Sequence, residues 1–152
     1  MCQRWGGTEG TANLMVPYAM AVADLVIIPM QASRLDARHG ARAIKQVRQQ
    51  EKVTKRRIPY AVLFTRTSPV IRPRLFRTIQ DEVVQNRIPS FATQIQELSA
   101  YKDLFAFGGT LSALSEKDVS NLQKAIGNAG DFAAETVSML RKETATGLEQ
   151  VA

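Results

Sequence analysis

Two short apolar runs set the limits on what this chain can fold into: residues 24–29 (DLVIIP), rich in β-branched residues and ended by Pro29, and residues 58–65 (IPYAVLFT). Each reads as a strand buried on both faces, because apolar residues follow one another instead of alternating with polar ones. Between them the period changes. Asp36 is placed to cap a helix that runs to about Val53, with Ala37, Ala41, Ile44 and Val47 forming an apolar stripe. Arg38, Arg42, Lys45 and Lys52 fall on another face of that helix. Strand, helix and strand in this order predict an α/β domain, with a mainly parallel sheet and flanking helices.

The remaining patterning extends this plan. A helix is expected over residues 10–23, with Pro17 tolerable near its first turn or at a kink. After a loop at 69–73, Pro73 suits the first turn of a helix reaching about Asn86, with Leu75, Ile79 and Val83 inward and Arg74 and Arg77 at its start. Residues 87–93 (RIPSFAT) predict a third, weaker strand, and residues 97–107 a helix stopped by Gly108 and Gly109. Ser115 and Asp118 resemble a capping box for a long final helix. Its apolar stripe would be Val119, Leu122, Ile126, Ala129, Ala133, Val137 and Leu140. Gly127 and Gly130 cost such a helix about 1 kcal/mol each relative to alanine, and are expected to permit close packing. The tail from Glu143 is expected to fray. Ligands on folds of this kind bind beyond the carboxyl ends of the strands, here residues 29–35, 65–72 and 93–99.

Composition narrows the chemistry. The 152 residues fit one domain. Cys2 is the only cysteine and His39 the only histidine, so no disulfide framework, multi-cysteine zinc site or two-histidine metal site can form, and no metal site is expected. Cys2 lacks the context of a nucleophile, and His39 reads as a surface histidine on a helix. The longest apolar stretch, residues 25–30, falls far short of the ~20 residues of a spanning helix, and residues 1–24 lack the basic stretch followed by an apolar run that makes a signal peptide. A cytoplasmic protein with no membrane partner is expected.

Charge is unevenly spread. The net charge is +6, yet residues 34–87 hold 14 Lys or Arg against four acids, a local net of +10. A patch of that size favours a polyanion by counterion release, a salt-dependent attraction indifferent to sequence. Arg72, Arg74 and Arg77 surround a helix start, where the helix dipole also attracts anions and where positive side chains are otherwise unfavourable. These three, with Arg38, Arg42 and Lys45, are the candidate DNA contacts. The alternative is a solvated basic face.

The order of segments resembles a known family. Thr8-Glu9-Gly10-Thr11-Ala12-Asn13, then Ala23-Asp24-Leu25-Val26-Ile27-Ile28-Pro29, then Ser33-Arg34-Leu35-Asp36, is similar to the second half of a ParA/MinD-type P-loop ATPase. Residues 100–111 (AYKDLFAFGGTL) are similar to a loop of small ParA-like proteins, and the likeness covers about residues 8–115. It implies an incomplete P-loop NTPase fold, with residues 1–7 as an irregular start, 8–142 as the partial ParA-like domain and 143–152 as the tail. It also implies nucleotide contacts at Gly10, Thr65 and Arg66, non-specific DNA binding, a ParB-like partner protein and a homodimer. The expected role is plasmid or chromosome segregation, with association to the nucleoid.

The departures limit that reading. The family's lysine-bearing phosphate loop has no counterpart: residues 6–10 (GGTEG) are glycine-rich but lack the lysine and the strand before it. Gly7 stands where the family turn carries the aspartate of its Mg²⁺ site. The chain is therefore expected to be a truncated ParA-like protein, inactive as an ATPase alone and needing no cofactor, with DNA or partner binding as its remaining activity. The alternative is a fragment of a functional ATPase, which would use ATP and Mg²⁺ once the N-terminal segment is present. A decayed remnant without function is the third possibility.

Overall fold

The structure is a computed structural model that describes residues 9–68, 70 and 73–149. The start expected over residues 1–7, the Gly7 position and Arg72 lie outside the described residues. Three parallel strands, β1 (Val26–Met30), β2 (Tyr60–Thr67) and β3 (Ile95–Gln96), form a sheet in the order β1-β2-β3. Five α-helices accompany them: α1 (Glu9–Val22), α2 (Arg34–Thr54), α3 (Arg74–Gln85), α4 (Ser99–Phe107) and α5 (Leu122–Glu149), with a 3-10 turn at Leu111–Ala113. The chain is an α/β protein with helices flanking a parallel sheet and a long C-terminal helix.

The β2 run is continuous because the centre of the sheet is covered on both sides, whereas β1, expected to be buried on both faces, buries only Ile28 and Met30 and leaves Pro29 exposed. Val26 pairs with Tyr60 and Met30 with Phe64, so side chains of the two strands alternate in step. Ile28, Met30, Val62 and Phe64 face α2 and α3, meeting Ile44, Phe76, Ile79 and Val83. Ala61 and Leu63 face the other way, towards Phe91 and the α5 residues Phe132 and Met139. A separate cluster joins Leu98 and Ala100 to Val119, Leu122 and Ala125. The outer edge of β1 has its own signature. Val26 N–H donates to Pro59 O at 2.8 Å, and strand alternation then turns the backbone of Ile27 and Pro29 away from β2. Proline, which has no N–H to donate, suits an outer register of this kind.

Several expected details are corrected. The cap of α2 is Ser33, not Asp36. Ser33 Oγ accepts the Asp36 N–H at 3.0 Å and donates to Asp36 Oδ2 at 2.6 Å, which places Asp36 in the first turn, where an acid also suits the helix dipole. In α3 the inward residues are Phe76, Ile79 and Val83, and Leu75 is exposed. The third strand is Ile95–Gln96, later and shorter than expected; within residues 87–93 only Ser90 bridges, to Val62. Ser115 starts a turn, closed by Asp118 N–H to Ser115 O at 3.1 Å, and not the final helix. Asn121, at φ 60°, interrupts the chain before α5 begins at Leu122. The helix continues to Glu149, beyond the fray expected at Glu143.

The phase of α5 also differs. Ala133 and Val137 are exposed, whereas Asn128, Phe132 and Glu135 turn inward. The two polar residues stitch β3 and the segment before it. Asn128 Nδ2 donates to Gln94 O at 2.8 Å, and its Oδ1 accepts from Gln96 N–H at 3.1 Å and from the Tyr101 hydroxyl at 3.1 Å. Glu135 accepts the N–H groups of Ala92 and Thr93 at 2.7 and 2.8 Å. Burial opposes ionisation of Glu135, but those two amides, the Thr93 side chain and Lys142 outweigh it and hold its pKa below the ordinary glutamate value. A lowered folded pKa stabilises the protein above the unfolded value, and that contribution is lost as pH falls through the folded one. Glu135→Gln is therefore expected to lower stability by about 1–2 kcal/mol at pH 7 and to flatten the loss of stability on acidification. Urea unfolding at pH 7 and pH 4 checks both.

Gly127 and Gly130 do not serve close packing: a Cβ at either would meet nothing within 4 Å. Gly130→Ala is expected to raise stability by about 1 kcal/mol, read as a higher thermal midpoint.

Candidate nucleic-acid interface

Helix α2 owes its orientation to one face. Gly40, Ile44 and Val47 are buried against the sheet, and a Cβ on Gly40 would lie 3.1 Å from Met30 Sδ, so the helix sits close upon β1. With that face fixed, Arg38, Arg42 and Lys45 emerge as exposed neighbours at spacings of four and three. Arg48 and Lys52 are also exposed and extend the row towards the helix C-terminus. From residue 38 to residue 52 the row spans about 21 Å at 1.5 Å per residue. The structure thus brings three of the six expected DNA contacts onto one helix face.

Arg74 and Arg77 are exposed in the first turn of α3. That helix has Pro73 as its cap, with no side-chain cap bond and no acid in the first turn. Its N-terminus therefore keeps its positive character while two arginines add to it. Because α2 and α3 cover the same sheet face and each follows its parallel strand, both helix starts lie at the carboxyl edge of the sheet. Arg38, Arg74 and Arg77 share that edge; Arg42 and Lys45 lie further along α2.

A second basic group, not singled out from the sequence, gathers at the opposite edge. Arg48, Lys52, Lys55, Arg56 and Arg57 line one surface recess with Glu51 as its acid. The signal was present in residues 52–57 (KVTKRR). Part of this group is engaged in structure. Arg56 donates to Ala21 O and Ala23 O at 2.9 and 3.3 Å, and Arg57 pairs with Glu143 at 3.3 Å. By contrast, the ion pairs found among the described residues involve Arg56, Arg57, Arg66 and Lys102, and none of the α2 row.

The residues expected to contact nucleotide are differently placed. Gly10 lies in the first turn of α1. Thr65 and Arg66 end β2, where the pairing with β3 slips between Thr65 and Thr67. Arg66 takes a left-handed conformation at φ 54°, as the extra residue of a bulge does. Its guanidinium donates to Glu97 Oε1 at 3.2 Å, and Lys102 Nζ lies 3.2 Å from the same oxygen. The Arg66 hydrogen bond, then that of Lys102, holds the Glu97 carboxyl below its usual range. His39 is exposed on α2. Among the described residues no group of three or more His, Cys, Asp or Glu could hold a metal ion, and no helix is long and apolar enough to cross a membrane.

No protein-family model matches the chain. Among curated proteins it is similar to Protein ParA of Rhizobium radiobacter, with 38% identity over 125 residues. That alignment takes in 82% of this chain and 56% of the relative, so the chain spans a little over half the length of the curated protein it matches.

Proposed function

The chain belongs to the ParA-like family, and on that premise we propose that it acts in plasmid or chromosome segregation by binding DNA without sequence preference. The contact surface is the exposed row Arg38, Arg42 and Lys45 on α2, with Arg74 and Arg77 at the start of α3. Arg72 joins them by its place in the sequence. The observation that carries this reading is that this row, about 10 Å from Arg38 to Lys45 and continued by Arg48 and Lys52, makes no ion pair to any acid among the described residues. A surface kept for solubility alone would spread its cations among acids. Binding to the nucleoid and to a ParB-like partner protein follows from the same reading.

On this reading the chain by itself does not hydrolyse ATP, because its sequence carries no counterpart of the family's lysine-bearing phosphate loop. One observation favours a second reading, that the chain is part of a Mg-ATP-dependent ATPase: its match covers 56% of the relative. Mg-ATP affinity in a longer form of the protein separates the two.

DNA binding is tested by titrating two duplexes of equal length and unrelated sequence at several salt concentrations. Equal affinities are expected, with a slope of log K on log salt of roughly −3 to −4 for three or four phosphate contacts. Absence of binding at low salt, or binding without a salt slope, overturns the proposal.

A further inference from the structure

Between α2 and α3 lies an open groove of about 440 Å³ that reaches the sheet. Its size falls in the range of small-molecule sites. The reason it exists is local: the first half of the α2 lining is Ala37, Gly40 and Ala41, leaving space that larger side chains would fill, before Ile44, Lys45 and Arg48 continue it. The floor is apolar, with Met30, Val62, Ile79 and Val83. The two walls differ in charge. Lys45 and Arg48 line the α2 side, three residues apart on one helix face, while Glu82 and Asn86 line the α3 side. Asn86 Nδ2 is engaged with Glu82 O at 2.7 Å, and Arg48 has a 3.3 Å bond to the Tyr60 hydroxyl.

We propose that this groove binds a small amphipathic carboxylate, its apolar body on the floor and its head between Lys45 and Arg48. An apolar floor gives no return for desolvating a polyanion, so a nucleotide or a DNA phosphate is a poor occupant. A wholly apolar ligand would leave both cations unused. A cationic amphiphile would meet two like charges on one wall. Glu82 on the opposite wall repels a carboxylate and so directs the head towards α2, fixing one orientation. The site does not depend on the DNA reading, although Lys45 is common to both surfaces.

The test uses the full chain and dodecanoate below its micelle concentration, with dodecylammonium as the comparison, followed by calorimetry and by amide shifts in ¹⁵N spectra. One dodecanoate per chain is expected, with shifts confined to β1, α2, β2 and α3 and at least tenfold weaker binding of dodecylammonium. Ala41 is exposed, so Ala41→Phe can fill the groove from outside without disturbing the core. It is expected to weaken dodecanoate at least tenfold while leaving DNA affinity unchanged. Lys45→Glu/Arg48→Glu alters surface residues only and is expected to weaken dodecanoate by a similar factor. It should also narrow or invert the preference over dodecylammonium. Equal binding of the two amphiphiles, shifts centred on the exposed α1 residues Met15 and Tyr18, or affinity unmoved by both variants overturns the proposal.

Discussion

The variant Arg38→Glu/Arg42→Glu/Lys45→Glu is expected to lose DNA binding almost completely while keeping its fold. Each lysine or arginine that neutralises a phosphate contributes about 0.9 to the salt slope, or nearly tenfold in affinity at 0.1 M salt. Removing three such contacts predicts a fall of roughly a thousandfold and a salt slope flatter by about 2.7. Reversal adds repulsion to that loss. All three side chains are exposed and lie off the buried face of Gly40, Ile44 and Val47, so the thermal midpoint should move little. Arg57→Glu is the matching control. That arginine is paired with Glu143, and its reversal is expected to reduce DNA affinity far less than reversal of any one residue in the row. Equal losses from Arg57→Glu and Arg42→Glu would show that only total charge matters, and the assignment of a face would fall.

Phe64→Ala is expected to produce the largest loss of stability of any single change considered. Phe64 is 3% exposed on the central strand and meets the ring of Phe76 edge to face, with centroids 5.2 Å apart. Truncating a buried phenylalanine costs about 3–5 kcal/mol, from lost transfer energy and the cavity left behind. The aromatic pair is worth about 0.5–1.5 kcal/mol beyond its area. Against the 5–15 kcal/mol typical of a whole domain, that is roughly a fifth of the stability or more. Urea unfolding monitored by circular dichroism reads it as a large drop in midpoint. Phe76→Leu keeps most of the volume and should cost much less. A loss below about 1 kcal/mol for Phe64→Ala would mean that α3 does not pack on β2 as described.

The strand–helix–strand core was legible because each signal was local and redundant. IPYAVLFT is buried on both faces, DLVIIP keeps its β-branched run although only Ile28 in it is fully buried, and α2 announces itself by apolar spacing over 21 residues. The cap was misread because Ser33 and Asp36, three residues apart, are both cap formers; only the Ser33 Oγ geometry separates them. Leu75 and Phe76 differ by one helical step, which sequence spacing resolves poorly where both are apolar. The third strand was nearly invisible for a different reason. It is two residues long, and the α5 side chain that holds it, Asn128, stands more than thirty residues away, as does Glu135, which holds the segment before it. The same two residues point inward from α5, against the expectation that a buried helix face is apolar. On the candidate interface, Arg38, Arg42 and Lys45 were readable from helical spacing. The groove beside them was not, because its width is set by the separation of α2 and α3 across the sheet.

The stitching of β3 by α5 has a consequence for synthesis on the ribosome. The segment from Phe91 to Gln96 emerges with its place beside β2 already made, yet the side chains that fasten it arrive only with Asn128 and Glu135. Glu135 follows Gln96 by 135 − 96 = 39 residues, a delay of roughly 2–8 s at 5–20 residues per second. During that interval β2 has one unsecured side, with the apolar Ala61 and Leu63 face still awaiting Phe132 and Met139. A nascent chain with Phe91–Gln96 outside the exit tunnel and residues 128–139 still inside it should therefore bind chaperones, and one with residues 128–139 also outside should not.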